Sequence, residues 1–85
     1  MTDRHPSTTH LLRYFEWSHL PEQLQGFSQP FAQLAYELVG YLDDGPELTA
    51  GLRKLLEAKD CIVRAAVDQM RDEAAAAEPD GGEQQ

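Results

Sequence analysis

The sequence has few of the groups that hold very small folds together. It has one cysteine, Cys61, in 85 residues, so no disulfide can form within the chain. Its histidines are His5, His10 and His19; no two stand four apart and none is near Cys61 in sequence, so no recognised zinc spacing exists. Positive charge is scarce as well. Lys and Arg number 7 against 15 Asp and Glu, and the net charge of −8 argues against non-specific binding to DNA, RNA or an anionic membrane. No apolar run approaches the ~20 residues of a membrane span, and the opening MTDRHPSTT lacks the apolar stretch of a signal peptide. Glycine-rich phosphate loops, nucleophile elbows and HExxH motifs are missing. These absences predict a soluble, cytoplasmic, non-enzymatic protein that uses no metal or cofactor. The single thiol fits a reducing compartment.

What is present is helical patterning. A polar N-terminus, residues 1–9, is expected to be flexible. An aromatic-rich segment from His10 to Trp17 follows, with Ser7, Thr8 or Thr9 able to cap it as a short helix. Pro21 disfavours helical geometry at Leu20 and suits the first position of a second helix. There Leu20, Leu24, Phe27, Phe31, Leu34, Leu38 and Tyr41 are spaced 4-3-4-3-4-3, a heptad seam. Ala35, Val39 and Leu42 widen it towards a core-facing stripe. Pro30 lies inside the pattern, but the stripe keeps its phase across it, which predicts a kinked helix. A new helix capped by Ser28 is the competing reading.

Asp43, Asp44, Gly45 and Pro46 read as a tight turn, with Gly45 ending one helix and Pro46 beginning the next. The last helix is expected to run to about Arg71, with Leu48, Leu52, Leu55, Leu56, Ile62, Val63, Ala66, Val67 and Met70 on its apolar face. At ~1.5 Å per residue the two long helices would be roughly 33 and 39 Å, a matched antiparallel pair. Residues 72–85 hold five of the acids and no base, and are expected to be disordered after Pro79, with the alanine run able to prolong the helix. The predicted fold is therefore all-α: a flexible N-terminus over residues 1–9, a helical hairpin domain over residues 10–71 that begins with the short aromatic segment, and an acidic disordered tail over residues 72–85. Chains with fewer than ~70–80 ordered residues rarely stabilise themselves with one core, and two helices cannot hide two broad stripes. A homo-oligomer is expected, with the aromatic segment packed across the hairpin or onto a neighbour.

Several residues invite a functional reading beside a plain one. Lys59 falls near the centre of the last apolar stripe. It either snorkels or pairs with an acid, or it meets an anion in an interface pocket. Arg53–Glu57 and Asp60–Arg64 are spaced for surface ion pairs of ~0.3–0.5 kcal/mol; otherwise Arg53 or Arg64 is free to grip a phosphate. Tyr14, Phe15 and Trp17 either anchor their segment by burial or offer a ring for a base to stack on. Tyr36 and Tyr41 read as core edge. Cys61 lies opposite the stripe, and Glu16 and Glu22 are a possible acid pair.

Two stretches carry a resemblance: HLLRYFEWSHLPEQLQGFSQPFAQLAYELV from His10 to Val39, and GPELTAGLRKLLEAKDCIVRAAV from Gly45 to Val67. Together they resemble a family of small helical proteins of actinobacterial phages and prophages. They are also similar to the hairpin domain of phage sponges that counter CBASS and Thoeris signalling. The resemblance implies a non-catalytic oligomer, commonly a hexamer, in the cytoplasm of the bacterial host. It would bind cyclic di- or trinucleotides or cyclic ADP-ribose variants in pockets between subunits. It also implies a stacking aromatic near the N-terminus, which by position is Trp17, with Tyr14 and Phe15 behind it. An arginine late in the last helix is matched by Arg64. The family's phosphate-binding lysine has no counterpart, because that region here is Ser28, Gln29 and Pro30. Lys59 and Arg13 are the bases left to substitute, with Arg53 a further candidate. The reading from a different class is a helical-hairpin module that receives a helix of a host or phage protein.

Overall fold

A computed structural model describes residues 4–77. Among these the chain is all-helical: α1 (Pro6–Arg13), α2 (Glu22–Tyr41) and α3 (Pro46–Ala77). The acidic tail beyond Ala77 lies outside the described residues.

Helix α1 starts earlier than the hydroxyl-rich run suggests. Pro6 occupies the first turn, where a missing N–H is harmless. The cap is His5, whose Nδ1 accepts from the Ser7 amide at 3.1 Å. Thr8, one of the expected caps, is instead buried. The helix ends at Arg13, and turn hydrogen bonds from Tyr14, Phe15 and Glu16 carry the chain on to the Trp17–Leu20 bend. The three aromatics therefore follow the helix rather than ride on it.

Helix α2 passes through Pro30 without a break. Proline crowds the carbonyl four residues back, which here belongs to Gly26. Both Gly26 and Pro30 are exposed, so the freed carbonyl can turn to water. Ser28 is interior to the helix and buried, which excludes a cap there. The start of α2 is tied to the bend by Gln25, whose Nε2 donates to Leu20 O at 2.9 Å and Ser18 O at 3.3 Å.

At the turn, α2 closes on Leu42 in extended geometry, and no described glycine has a positive φ. Gly45 therefore does not end α2. Its carbonyl accepts the Thr49 amide and hydroxyl, at 3.0 and 3.1 Å, and opens α3.

The core is built from Leu11, Phe15, Ala32, Ala35, Val39 and Leu52, with Leu12, Trp17, Phe31, Leu48, Leu55 and Leu56 packed around it. Helix α1 lies chiefly on α3 and only marginally on α2. The aromatic segment thus packs on its own hairpin. The inward side of α2 is Ser28, Ala32, Ala35 and Val39, a row of small residues that lets the neighbouring elements come close. This shifts the expected seam. Leu24, Phe31 and Leu38 are half-buried, with Phe31 against the core, whereas Phe27, Leu34 and Tyr41, seven apart, face outward. The long helices are not matched either: α3 has 32 residues against 20 in α2.

Candidate functional site

A polar clamp closes the turn end of the hairpin. Asp44 Oδ1 accepts from Thr8 Oγ1 at 2.8 Å and from Arg4 Nε at 3.1 Å, and its Oδ2 accepts the His5 amide at 2.7 Å. Arg4 also donates to Val39 O at 3.1 Å and Leu42 O at 2.8 Å, spanning the last turn of α2. The His5 amide, then the Thr8 hydroxyl, with Arg4 adding less, hold the Asp44 carboxyl below the ordinary aspartate range against a small desolvation effect. Beside the clamp His5, Ser7, Asp44, Gly45, Pro46, Thr49 and Arg53 line an open depression of about 490 Å³. Arg53 therefore stands near the first amides of α3.

A second depression, about 590 Å³, lies between α1 and α2. Thr9, Leu12, Arg13, Glu16 and Tyr36 line it. Arg13 also lines a third, with Pro6, Ser7, Thr9 and His10. Tyr14 is 54% exposed and meets the His10 ring edge-on at 5.3 Å. The expected acid pair of Glu16 and Glu22 gives way to a local arrangement. Glu16 Oε2 accepts from the Ser18 amide at 3.1 Å and from its hydroxyl, and these bonds, the hydroxyl's first, lower the Glu16 pKa.

Phe15 must be removed from the stacking candidates. It is 0% exposed, and its ring is a core element with no free face. Trp17 is half-buried against the same core. Tyr36 and Tyr41 are corrected in the opposite sense: at 53% and 79% exposed, neither is core edge.

The anticipated ion-pair ladder on α3 is not formed. Among the described residues neither Arg53–Glu57 nor Asp60–Arg64 is an ion pair; the pairs are Arg4–Asp44, Lys59–Asp60 and Arg71–Asp68. Lys59, with its side chain 12% exposed, meets Asp60 Oδ1 at 2.9 Å. Arg64 donates only to the exposed Cys61 Sγ, at 3.4 Å. Arg13, Arg53 and Arg64 are thus exposed guanidiniums with no carboxylate partner among the described residues. They sit on separate parts of the surface, and one chain does not gather them into one cavity.

A fourth depression is apolar. Leu38 and Leu42 of the α2 end and Leu48, Gly51, Leu52, Leu55 and Ala58 of α3 line about 510 Å³, with Glu47 and Lys54 at its rim. The exposed Leu34 and Ile62 each lie four residues further along the helix that bears them, beyond Leu38 and Ala58 respectively. No described cluster of His, Cys, Asp or Glu can hold a metal, and no described helix is long and apolar enough to cross a membrane. The fold defines the class only as a small three-helix protein. The chain matches no protein-family model, no curated protein and no solved structure.

Proposed function

We propose that the protein is a non-catalytic phage anti-defence sponge. Copies assemble through the apolar α2–α3 face and hold a cyclic oligonucleotide or cyclic ADP-ribose-type signal at their boundaries, without cleaving it. The observation that carries this reading is the state of Arg13, Arg53 and Arg64. Acids stand within one helical turn of Arg53 and Arg64, yet all three guanidiniums lack an acid partner among the described residues. Such forks are suited to phosphate. Assembly repeats each of them once per subunit, which lets an acidic chain build a basic pocket. Of the N-terminal aromatics, Tyr14 and Trp17 are the two available to a base.

The test is thermal unfolding of the full chain with cyclic di-AMP, cyclic di-GMP, cyclic tri-AMP and cyclic ADP-ribose isomers. A ligand at about 100 times its Kd adds ~2.7 kcal/mol of stability, a shift of roughly 10–20 °C. Arg64→Ala and Trp17→Ala should reduce the shift while the assembly persists in sedimentation. No shift with any of them would end this reading. The apolar depression at Leu38, Leu42, Leu48 and Leu55 favours one alternative, a module that receives an amphipathic helix from another protein. A monomer in sedimentation, with no nucleotide response, would leave that alternative standing.

A further inference from the structure

Helix α1 and the turn after it present Thr9, Leu12, Arg13 and Glu16 along one edge, and Tyr36 of α2 completes the open depression they line. Each side chain offers a different contact. Leu12 is half-buried against the core and makes an apolar floor. Tyr36 has more than half its surface free, so its ring can be covered. Arg13 has no acid partner among the described residues, even though Glu16 shares the depression. Glu16 is held by Ser18 through Oε2, while its Oε1 makes no hydrogen bond with the described residues. Those bonds keep the carboxylate ionised and fixed in direction.

We propose that this depression is a nucleotide subsite that accepts an internal phosphodiester and disfavours a terminal phosphate. The inference rests on the sponge reading and assigns it a selectivity. A base stacks on Tyr36, and the Arg13 fork takes the phosphate oxygens. Glu16 sets how much negative charge the site tolerates. One cation and one anion lining the same hollow nearly cancel at the phosphate. The attraction gained grows only in proportion to ligand charge, whereas the desolvation cost of an ion grows with its square. A phosphodiester carries one negative charge, and a terminal phosphate about −1.5 to −2 near neutrality. An intact cyclic oligonucleotide contains only phosphodiesters, and its ring-opened product ends in a terminal phosphate. The site therefore keeps the signal and releases its spent form.

The experiment is calorimetric titration of the full chain with cyclic di-AMP, cyclic di-GMP and cyclic tri-AMP. Each is paired with its linear 5′-phosphorylated counterpart and run on wild type, Glu16→Gln, Tyr36→Ala and Arg13→Ala. Wild type should bind a ring at least about tenfold more tightly than its linear form. Glu16→Gln should close most of that gap, chiefly by tightening the linear ligand. Tyr36→Ala should weaken the ring by about tenfold or more, as loss of one stacked base does. Tyr36→Phe, which keeps the ring, should restore binding. Ring binding that is untouched by Tyr36→Ala and Arg13→Ala would overturn this subsite and leave the sponge reading intact. So would equal affinity for ring and linear forms with no response to Glu16→Gln. Failure of every ring to bind wild type would overturn this subsite, and the sponge reading with it once the cyclic ADP-ribose isomers also give no thermal shift.

Discussion

Thr8 and Asp44 lie 36 residues apart in sequence and are joined by a 2.8 Å hydrogen bond that fastens the first helix to the α2–α3 turn. The contact is local in space and remote in sequence, so it fixes how α1 lies across the hairpin. Asp44→Ala removes the acceptor for Thr8, the His5 amide and Arg4 together. It should lower the melting temperature by several degrees and loosen residues 4–9. Limited proteolysis should then cut that segment first; an unchanged melting temperature and cleavage pattern would show that the clamp is dispensable.

The same carboxylate gives stability an acid dependence. Its folded pKa lies below its unfolded value, so the contribution is complete above the ordinary aspartate range and is lost as pH falls through the depressed folded value. Glu16, lowered by Ser18, has the same sign. Melting temperature should therefore fall below about pH 4. Asp44→Asn should flatten that fall, and its difference from wild type should shrink as acid is added. A constant difference from pH 7 to pH 3 would refute the linkage.

Ser28 Oγ is fully buried with no hydrogen-bond partner among the described residues. An unpaired buried hydroxyl costs about 1–3 kcal/mol, and alanine is the better helix former. Ser28→Ala should stabilise the protein by about 1 kcal/mol, raising the melting temperature by roughly 4–8 °C. A lower melting temperature would mean that the hydroxyl has a partner in solution.

Phe15 and Tyr14 are neighbours with opposite roles. Phe15→Ala empties the centre of the core and should cost about 3–5 kcal/mol, a large share of the stability of so small a domain. Tyr14→Ala removes an exposed ring and should shift the melting temperature little. Circular dichroism melts of the two variants separate the roles directly.

Phe27, Leu34 and Tyr41 form the uncovered side of α2. Leu34→Lys puts a charge in the middle of that row. In the proposed assembly it should lower the sedimenting mass at micromolar concentration while the helix content of each chain is largely kept. Unchanged mass would remove this side of α2 from the proposed contact.

The extent of the helices was mostly readable from periodicity, and the details depended on groups that periodicity ignores. Phase continuity through Pro30 signalled one helix, because exposed Gly26 and Pro30 absorb the lost bond at the surface. The start of α1 departs from the expected one because histidine is an uncommon cap and the hydroxyl run after it carries the usual capping chemistry. The seam of α2 was offset for a different reason. Bulky side chains define a heptad, but close packing selected Ser28, Ala32 and Ala35, which carry little apolar weight. Bulk likewise suggests core edge for Tyr36, which instead lines the depression shared with Arg13. Its signal was present in its position, out of phase with Leu34 and Leu38. The clamp on Asp44 could not be read from spacing, since it joins residues that only the folded hairpin brings together.

The unequal helices give the molecule a stability gradient. Half-buried positions on α3 end at Met70, and the following residues through Ala76 are exposed. There the backbone relies on its own hydrogen bonds and on alanine propensity, and an unsupported helical turn is marginal in water. Amide hydrogens should therefore exchange slowly around Leu52 and progressively faster towards Ala77, as the helix unzips from its free end. A body laid along residues 71–76 would slow that exchange.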